Sequence, residues 1–117
     1  MSREYKFRIW SFLDKSFHYF SIEEGYPQGI AGGVSDPRQY TGLTDKNGKE
    51  IYDGDILDFT ARYKQTGPVE VIYYGASFGC VITDDGGLKE FWALNHIVQQ
   101  HYPEIIGNIF ENPELLK

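Results

Sequence analysis

One segment, residues 39–56, constrains the fold of this 117-residue chain more than any other, because it combines a tight-turn signal with a strand entry. Asn47-Gly48 is the strongest short signal for a β-hairpin, since both central residues of a type I′ turn need positive φ. Asparagine tolerates that region and glycine has no Cβ to clash. The segment therefore predicts positive φ at Asn47 and Gly48, with residues 45–50 joining two antiparallel strands.

A second sharp bend is predicted at Gly54, which lies between Asp53 and Asp55 just before the apolar start of a strand. Aspartates in turns usually accept hydrogen bonds from nearby backbone amides. We therefore expect the carboxylates of this segment to hold the backbone, rather than to form the paired carboxylates of an acid–base site.

Short strands alternate with turns at intervals of roughly 8–12 residues, a spacing typical of a small β-barrel or sandwich. Residues 5–10 alternate large apolar with basic side chains, so the basic residues Lys6 and Arg8 are predicted to face water. The residues predicted to pack on the other face are Tyr5, Phe7 and Ile9. Further strands are predicted at 17–22, 56–63, 69–74, 78–83, 90–94 and 104–110, with turns at 65–68, 75–77 and 84–87.

Near the C-terminus a short helix is predicted. Asn112 is placed to cap it, Pro113 suits the first helical position, and Glu114 favours the positive end of the helix. Residues 95–102 fit either a turn of helix or a short strand, and both alternatives stay open at this point.

A long loop is predicted over residues 23–37, which show no periodicity and include four glycines and two prolines. This composition leaves the backbone many conformations, so the loop is predicted to be mobile or to be ordered only by a partner or a second copy. Its sizeable apolar residues Tyr26, Ile30 and Val34 form a candidate docking patch. A homo-oligomer and a monomer both stay open.

The composition restricts the kinds of partner. The formal net charge is −6, and an acidic chain repels phosphates, so nucleic-acid and anionic-membrane binding are disfavoured. Aromatic residues make up 16% of the chain, and Tyr40 and Trp92 are candidate anchors for a protein partner. A polar N-terminus, a single cysteine and the lack of an apolar stretch of ~18 residues predict a cytoplasmic protein outside the membrane.

The residues that could carry chemistry fail the spacing tests for known sites. Residues 45–50 are rich in oxygen ligands, but their glycine falls at the fourth loop position, whereas an EF-hand needs it at the sixth. His96 and His101 lack the second ligand pair that a zinc site needs. Cys80 lies in an apolar strand, which is typical of a buried structural cysteine. We therefore predict no catalytic residue, no metal and no cofactor.

Three segments together resemble the YopX family of phage and prophage proteins: residues 6–10, 39–56 and 106–116. Their order and relative placement fit along the whole chain, although Ile9 stands where the family more often has alanine. The residues of these segments that match the structural motif are Asp45, Asn47, Gly48, Tyr52, Gly54, Asp55, Gly107, Asn108, Asn112 and Pro113.

The resemblance implies one domain over residues 1–117, with an N-terminal hairpin and long loop in 1–38 and an SH3-like β-barrel portion in 39–117. The resemblance assigns no catalytic residue to this chain. We expect a phage or prophage accessory protein that acts as a protein-interaction module. A binder of single-stranded nucleic acid or of a nucleoprotein is the alternative, and a small enzyme is the third hypothesis.

Overall fold

The computed structural model describes residues 4–61, 64–83 and 86–116. The fold is mostly β, as predicted, and the strands of the described residues form three antiparallel sheets. The elements are β1 (Lys6–Ser11), β2 (Ser16–Ser21), β3 (Arg38–Thr44), β4 (Glu50–Tyr52), β5 (Asp55–Ala61), β6 (Lys64–Glu70), β7 (Ile72–Tyr74), β8 (Ser77–Thr83), β9 (Lys89–Ala93), α1 (Leu94–His101), β10 (Glu104–Asn108) and a 3₁₀ helix (Pro113–Leu116).

The first sheet has the order β2-β1-β3-β4, the second sheet β10-β5-β6, and the third sheet β7-β8-β9. β1 and β2 form the predicted N-terminal hairpin. The boundary predicted between residues 38 and 39 falls at the start of β3, which pairs with β1 in the same sheet. Over the described residues the strand pairs do not close a ring, so the SH3-like barrel stays a prediction.

The hydrophobic core lies where the second sheet, the third sheet and α1 meet. Leu94 and Ile97 of α1 are buried in it, and their spacing is that of a helix with one apolar face. The helix settles the ambiguity over residues 95–102 in favour of α1, which ends where Tyr102 adopts φ 48°. No helix in the described ranges is long and apolar enough to cross a membrane. The buried core residues are Ile51, Leu57, Phe59, Val71, Cys80, Ile82, Leu94 and Ile97.

The turn at residues 45–49 differs from the predicted type I′ turn. Gly48 has φ +82°, as predicted, but Asn47 is not among the residues with positive φ. The Gly48 amide donates to the Asp45 carbonyl at 3.0 Å, and the Asp45 amide donates to the Lys49 carbonyl at 2.8 Å. This is a three-residue hairpin loop, a type I turn followed by a left-handed glycine. It forms because the Asp45 carboxylate accepts hydrogen bonds from the amides of Asn47 and Lys49, both at 2.9 Å.

The alternation over residues 5–10 predicted the wrong exposure for two side chains. Arg8 is 5% exposed and Tyr5 is 44% exposed. The period-2 pattern itself holds, since Arg8 shares a face with Trp10, but that face packs on the rest of the protein. The opposite face carries Ile9, which is fully buried. Both faces of the first sheet are thus covered at β1, and the pattern alone could not show it.

The predicted turn at residues 65–68 is also wrong, because β6 runs through it. Leu57 pairs with Val69 and Phe59 pairs with Thr66, so β6 has one residue more than β5 between these pairs. The extra residue makes a β-bulge at Gly67 and Pro68. Proline is tolerated there because β6 is an edge strand of the second sheet. The turn predicted at 84–87 lies partly outside the described residues.

The C-terminal segment confirms Pro113 as the first residue of a helix, which is a 3₁₀ helix. The side chain of Asn112 has a different role from the predicted cap. Its carboxamide oxygen accepts a hydrogen bond from the Asn108 amide at 3.2 Å and so ties the last strand to the 3₁₀ helix.

The loop over residues 23–37 is held by its own domain in its second half. The Phe12 amide donates to the Gly33 carbonyl at 3.2 Å, and the Ser35 amide donates to the Trp10 carbonyl at 2.9 Å. The Ser35 hydroxyl in turn accepts from the Trp10 amide. These bonds differ from the prediction that only a partner or a second copy would order the loop.

Candidate binding surface

The three loop residues predicted to bind a partner do not form one exposed patch. Tyr26 packs against Phe20 of β2, with ring centroids 5.6 Å apart. Val34 instead forms a bridge with Ser11, at the other end of the β1–β2 hairpin. Phe20 and Ser11 are separated by about 13 Å along the hairpin. Ile30 lies in the loop between the two anchor points and is half-buried.

The other two predicted binding residues, Tyr40 and Trp92, belong to the first and third sheets. The Lys6 ammonium lies 4.6 Å from the centre of the Tyr40 ring and also pairs with Glu50. The Trp92 ring stacks on His101 at 5.3 Å. Both aromatic rings are half-buried and already engaged within the chain.

His101 and Cys80, two of the residues considered for chemistry, both pack against other side chains of the chain. His101 stacks between Trp92 and Phe59, and burial, followed by the charge of His96, lowers the pKa of His101. Burial raises the pKa of the Cys80 thiol to about 12, so the thiol is protonated near neutral pH and is a poor nucleophile. No group of three or more His, Cys, Asp or Glu in the described ranges could hold a metal ion.

Asp45 is the first of two carboxylates that hold the structural motif together. One of its oxygens accepts from the turn amides, and the other accepts from the Ile105 amide at 3.0 Å, 60 residues along the chain. Burial opposes the charge, but the amide bonds from Ile105, Lys49 and Asn47 together lower the pKa of Asp45. The turn is thereby fixed to the start of β10.

Asp55 is the second such carboxylate, and it joins the first sheet to the second. The Arg8 guanidinium donates to one oxygen at 2.7 Å, and the Tyr52 amide donates to the other at 2.7 Å. The guanidinium also lies between the rings of Phe17 and Tyr52, 3.9 and 4.7 Å from their centres. Gly54, with φ +93°, makes the bend that presents this carboxylate. We call this assembly the Arg8–Asp55 joint.

A third part of the motif closes the last strand. The Asn108 side-chain oxygen accepts from the amides of Phe110 and Glu111 at 3.0 and 2.9 Å. Gly107 leaves room for Asn112, since a Cβ at Gly107 would lie 2.5 Å from the Asn112 carboxamide oxygen. The side-chain oxygens of Asn108 and Asn112 therefore both accept hydrogen bonds from backbone amides of this segment.

An exposed apolar surface lies elsewhere, on the third sheet. Opposed residues of a sheet share a face, and here Val81 opposes Phe91 while Gly79 opposes both Ile72 and Ala93. The neighbouring residues of β8 point the other way, into the core. Tyr74 is 66% exposed and Val81 is 41% exposed. We call this surface the outer face: it comprises Ile72, Tyr74, Val81, Phe91 and Ala93.

Gly79 makes the centre of the outer face flat. A Cβ at this position would lie 2.2 Å from the Trp92 carbonyl oxygen and 2.6 Å from the Phe91 ring. The Phe91 ring therefore lies over the glycine, and the Tyr74 ring packs beside it at 5.5 Å. The result is a pair of aromatic rings tilted by 50° to each other, next to an exposed valine.

A cavity of about 490 Å³ adjoins the outer face, with Ile72 and Val81 belonging to both. Pro68, Val69 and Leu116 give it further apolar walls. Its acidic group is Glu70, whose pKa is raised, chiefly by burial and against the opposing charge of Arg38. We call it the Glu70 cavity.

One sequence pattern does indicate this surface, and it is a run of apolar residues, not an alternation with period 2. Residues 69–74 and 78–82 are apolar at nearly every position instead of alternating with polar residues. Such a run is typical of a strand that is covered on both faces. In this protein one of those two faces is open.

The chain resembles a solved protein along its full length. The crystal structure of protein EF1440 from Enterococcus faecalis matches with a TM-score of 0.64 and 27% identity, covering 99% of this chain and 100% of EF1440. No protein with a curated description is significantly similar to the chain.

The family comparison agrees with the resemblance seen in the sequence motifs. The model for YopX protein matches residues 33–117. Two of the three motif segments lie inside this range, and residues 6–10 lie before it. Because the match spans more than half of its length, the chain belongs to the YopX family.

Proposed function

We propose that this protein is a binding module of phage or prophage origin that docks a protein partner on the outer face of its third sheet. The observation that carries the proposal is the placement of Tyr74, Val81 and Phe91 on a face turned away from the core. Contiguous exposed apolar surface on a small protein marks interaction sites, and aromatic residues are enriched among the anchors of such sites.

The proposal extends to properties that go with the family resemblance. We infer that the protein works in the cytoplasm of the host cell, that residues 39–117 include an SH3-like barrel portion, and that the protein is not an enzyme. The buried, protonated Cys80 thiol supports the last point. The Arg8–Asp55 joint supports it too, since its charged groups are buried.

A binder of single-stranded nucleic acid is the second candidate. Lys89 begins β9 on the same face as Phe91, so a stacked base could have its phosphate near an ammonium. Two other cations do not support this candidate. Lys6 pairs with Glu4 and Glu50, and Arg8 pairs with Asp55 in the interior. A binder of single strands is predicted to cluster its basic residues beside exposed aromatic rings, and the candidates for this cluster are Lys6, Arg8, Arg62, Lys64 and Lys89. The side chains of Arg62 and Lys64 lie outside the described part.

Partner capture with a matched pair of variants tests the proposal. The tagged protein, Val81→Gln and Ile22→Gln are compared in cells that carry the phage or prophage, and each captured protein is then purified and titrated directly. Ile22 is an exposed apolar residue, 62% accessible, at the end of the first hairpin. We expect Val81→Gln to weaken binding at least about tenfold, which corresponds to 1.4 kcal/mol, and Ile22→Gln to leave it unchanged.

Two outcomes would contradict the proposal. Equal affinity for both variants would remove the outer face from the interface. Tight, salt-sensitive binding of an oligonucleotide at ~150 mM salt would favour the nucleic-acid candidate instead.

A further inference from the structure

We propose that the Glu70 cavity receives a lysine or arginine side chain of the docked protein, next to apolar residues of that protein that cover the outer face. This inference rests on the proposed function and specifies the chemistry of the partner. The cavity and the outer face share Ile72 and Val81, so a segment lying on one would also reach the other.

The walls of the cavity suit the stem of a long basic side chain. Pro68, Val69, Ile72, Val81 and Leu116 are apolar, and lysine and arginine bury their methylene groups along such surfaces while their charged ends find a polar partner. A volume of about 490 Å³ falls within the range of sites that enclose a small ligand.

Glu70 supplies the charge that such a side chain needs. No hydrogen bond or ion pair to its carboxylate is present in the described part of the chain. The charge of Arg38 lowers the pKa of Glu70 and the charge of Asp53 raises it, and Arg38 itself pairs with Asp53 at 3.6 Å. Burial raises the pKa of Glu70 because the ionised form is incompletely compensated. A cation entering the cavity would provide that compensation.

The charge of the whole chain selects among possible occupants. With a net charge of −6, the protein attracts a basic partner over a distance and repels a second copy of itself. An anionic occupant would place like charges together at Glu70. The net charge of the chain and the carboxylate of Glu70 therefore favour a basic, partly apolar protein segment as the occupant and disfavour self-association.

Binding of two small probes to the full-length protein tests the inference without the natural partner. The probes are N-acetyl-lysine methylamide and N-acetyl-norleucine methylamide, which share a straight four-carbon side chain but differ in the ammonium. Each is titrated into isotope-labelled protein at constant ionic strength, and the amide NMR shifts of residues 69–72 and 81 are followed. We expect saturable shifts with the lysine probe and at least fivefold weaker binding of the norleucine probe.

Two variants test whether Glu70 causes the preference for the lysine probe over the norleucine probe. Glu70→Gln is expected to remove the preference for the lysine probe, while Glu23→Gln, which makes the same charge change in the loop before β3, is expected to retain it. Both variants are first checked for the native NMR spectrum, and Glu70→Asp serves as a second variant that keeps the charge if Glu70→Gln fails to fold.

Three results would overturn the inference: equal response to both probes, no response to either, or an unchanged preference in Glu70→Gln. The proposed function is judged separately by Val81→Gln. Loss of partner binding in Val81→Gln, together with unchanged partner binding in Glu70→Gln, would keep the docking surface and remove the cation pocket.

Discussion

The Arg8–Asp55 joint and the outer face of the third sheet place polar and apolar groups in opposite ways. At the joint, Arg8 and Asp55 are 5% and 3% exposed. On the outer face, the aromatic ring of Tyr74 and the aliphatic side chain of Val81 face solvent. The joint has its partner groups within the chain: the Arg8 guanidinium donates to the Asp55 carboxylate, which also accepts from the Tyr52 amide, while the buried Nε of Arg8 has no hydrogen-bond partner among the described residues. The outer face has no such partner in the described residues, so its apolar groups are available to another molecule.

Because of this difference, substitutions in the two regions should change different properties, the free energy of unfolding in one and partner affinity in the other. Removing one member of a buried ion pair leaves the other charge in the interior without compensation, which typically costs about 3–5 kcal/mol. Changing an exposed side chain usually alters stability by about 0.5 kcal/mol or less. Substitutions at the joint should therefore act on folding, and substitutions on the outer face should act on partner affinity.

Arg8→Met should give the largest effect, because it leaves the Asp55 carboxylate buried with the Tyr52 amide and no cation. We expect a loss of about 3–5 kcal/mol in the free energy of unfolding, measured by urea denaturation. Lys46→Met is the matched control, since Lys46 pairs with Glu104 at 3.7 Å on the surface and such pairs contribute about 0–1 kcal/mol. Similar losses for both variants would show that the buried Arg8–Asp55 pair contributes no more to the free energy of unfolding than a surface pair does.

Asp45→Asn should give the next largest effect, because an amide cannot provide the negative charge that accepts three backbone hydrogen bonds. We expect a loss of about 1.5–3 kcal/mol at pH 7. The folded pKa of Asp45 is lowered, so its stabilisation is present above the unfolded pKa of about 3.9 and is lost as pH falls through the folded pKa. Urea midpoints measured as a function of pH should therefore converge for wild type and variant in acid. If the urea midpoints of wild type and variant differed by the same amount at every pH, the ionised Asp45 carboxylate would not be the source of the stabilisation.

Gly48→Ala and Gly67→Ala compare the turn held by Asp45 with the bulge that lines the Glu70 cavity. Gly48 has φ +82°, and a Cβ there would be strained although nothing lies within 4 Å of it. We expect a loss of about 1 kcal/mol. Gly67→Ala, where φ lies outside the left-handed region and the space is also open, should be nearly neutral. Thermal unfolding of the two variants measures the difference, and equal costs would mean that backbone strain does not explain it.

Val81→Thr should have the smallest effect on stability. The substitution keeps a β-branched side chain on a strand, at a position that is 41% exposed, so we expect a change within about 0.5 kcal/mol. A larger loss in urea denaturation would mean that the outer face contributes to the core and is not free for a partner.

Local features of the fold could be predicted from the sequence, whereas contacts between distant segments could not. The Gly48 turn and the bend at Gly54 follow from backbone sterics within a few residues. The burial of Arg8 depends on Asp55, 47 residues later, and a period-2 pattern identifies the faces of a strand without showing what covers them. The positive φ wrongly expected at Asn47 has a local origin instead, because the carboxylate of Asp45, two residues earlier, accepts the Asn47 amide and favours another turn type.

The candidate surface was missed for a related reason. Tyr74 and Phe91 meet only through the register of β7, β8 and β9, which sequence spacing does not fix. Trp92, predicted as a binding aromatic, lies one residue from Phe91 and so points to the opposite face of its strand. A shift of a single position along β9 decides whether a ring faces the core or the solvent.

The Arg8–Asp55 joint has a consequence for where this protein can be cut. The family model begins at residue 33, which is after both strands of the first hairpin. A fragment starting there would lose the cation that Asp55 needs and the Trp10 ring that stacks on Phe110 at 5.6 Å. The matched segment thus lacks residues that contact Asp55 and Phe110 in the folded chain. Truncations and fusions designed on the boundaries of the match would remove a hairpin on which the remainder depends for its shape.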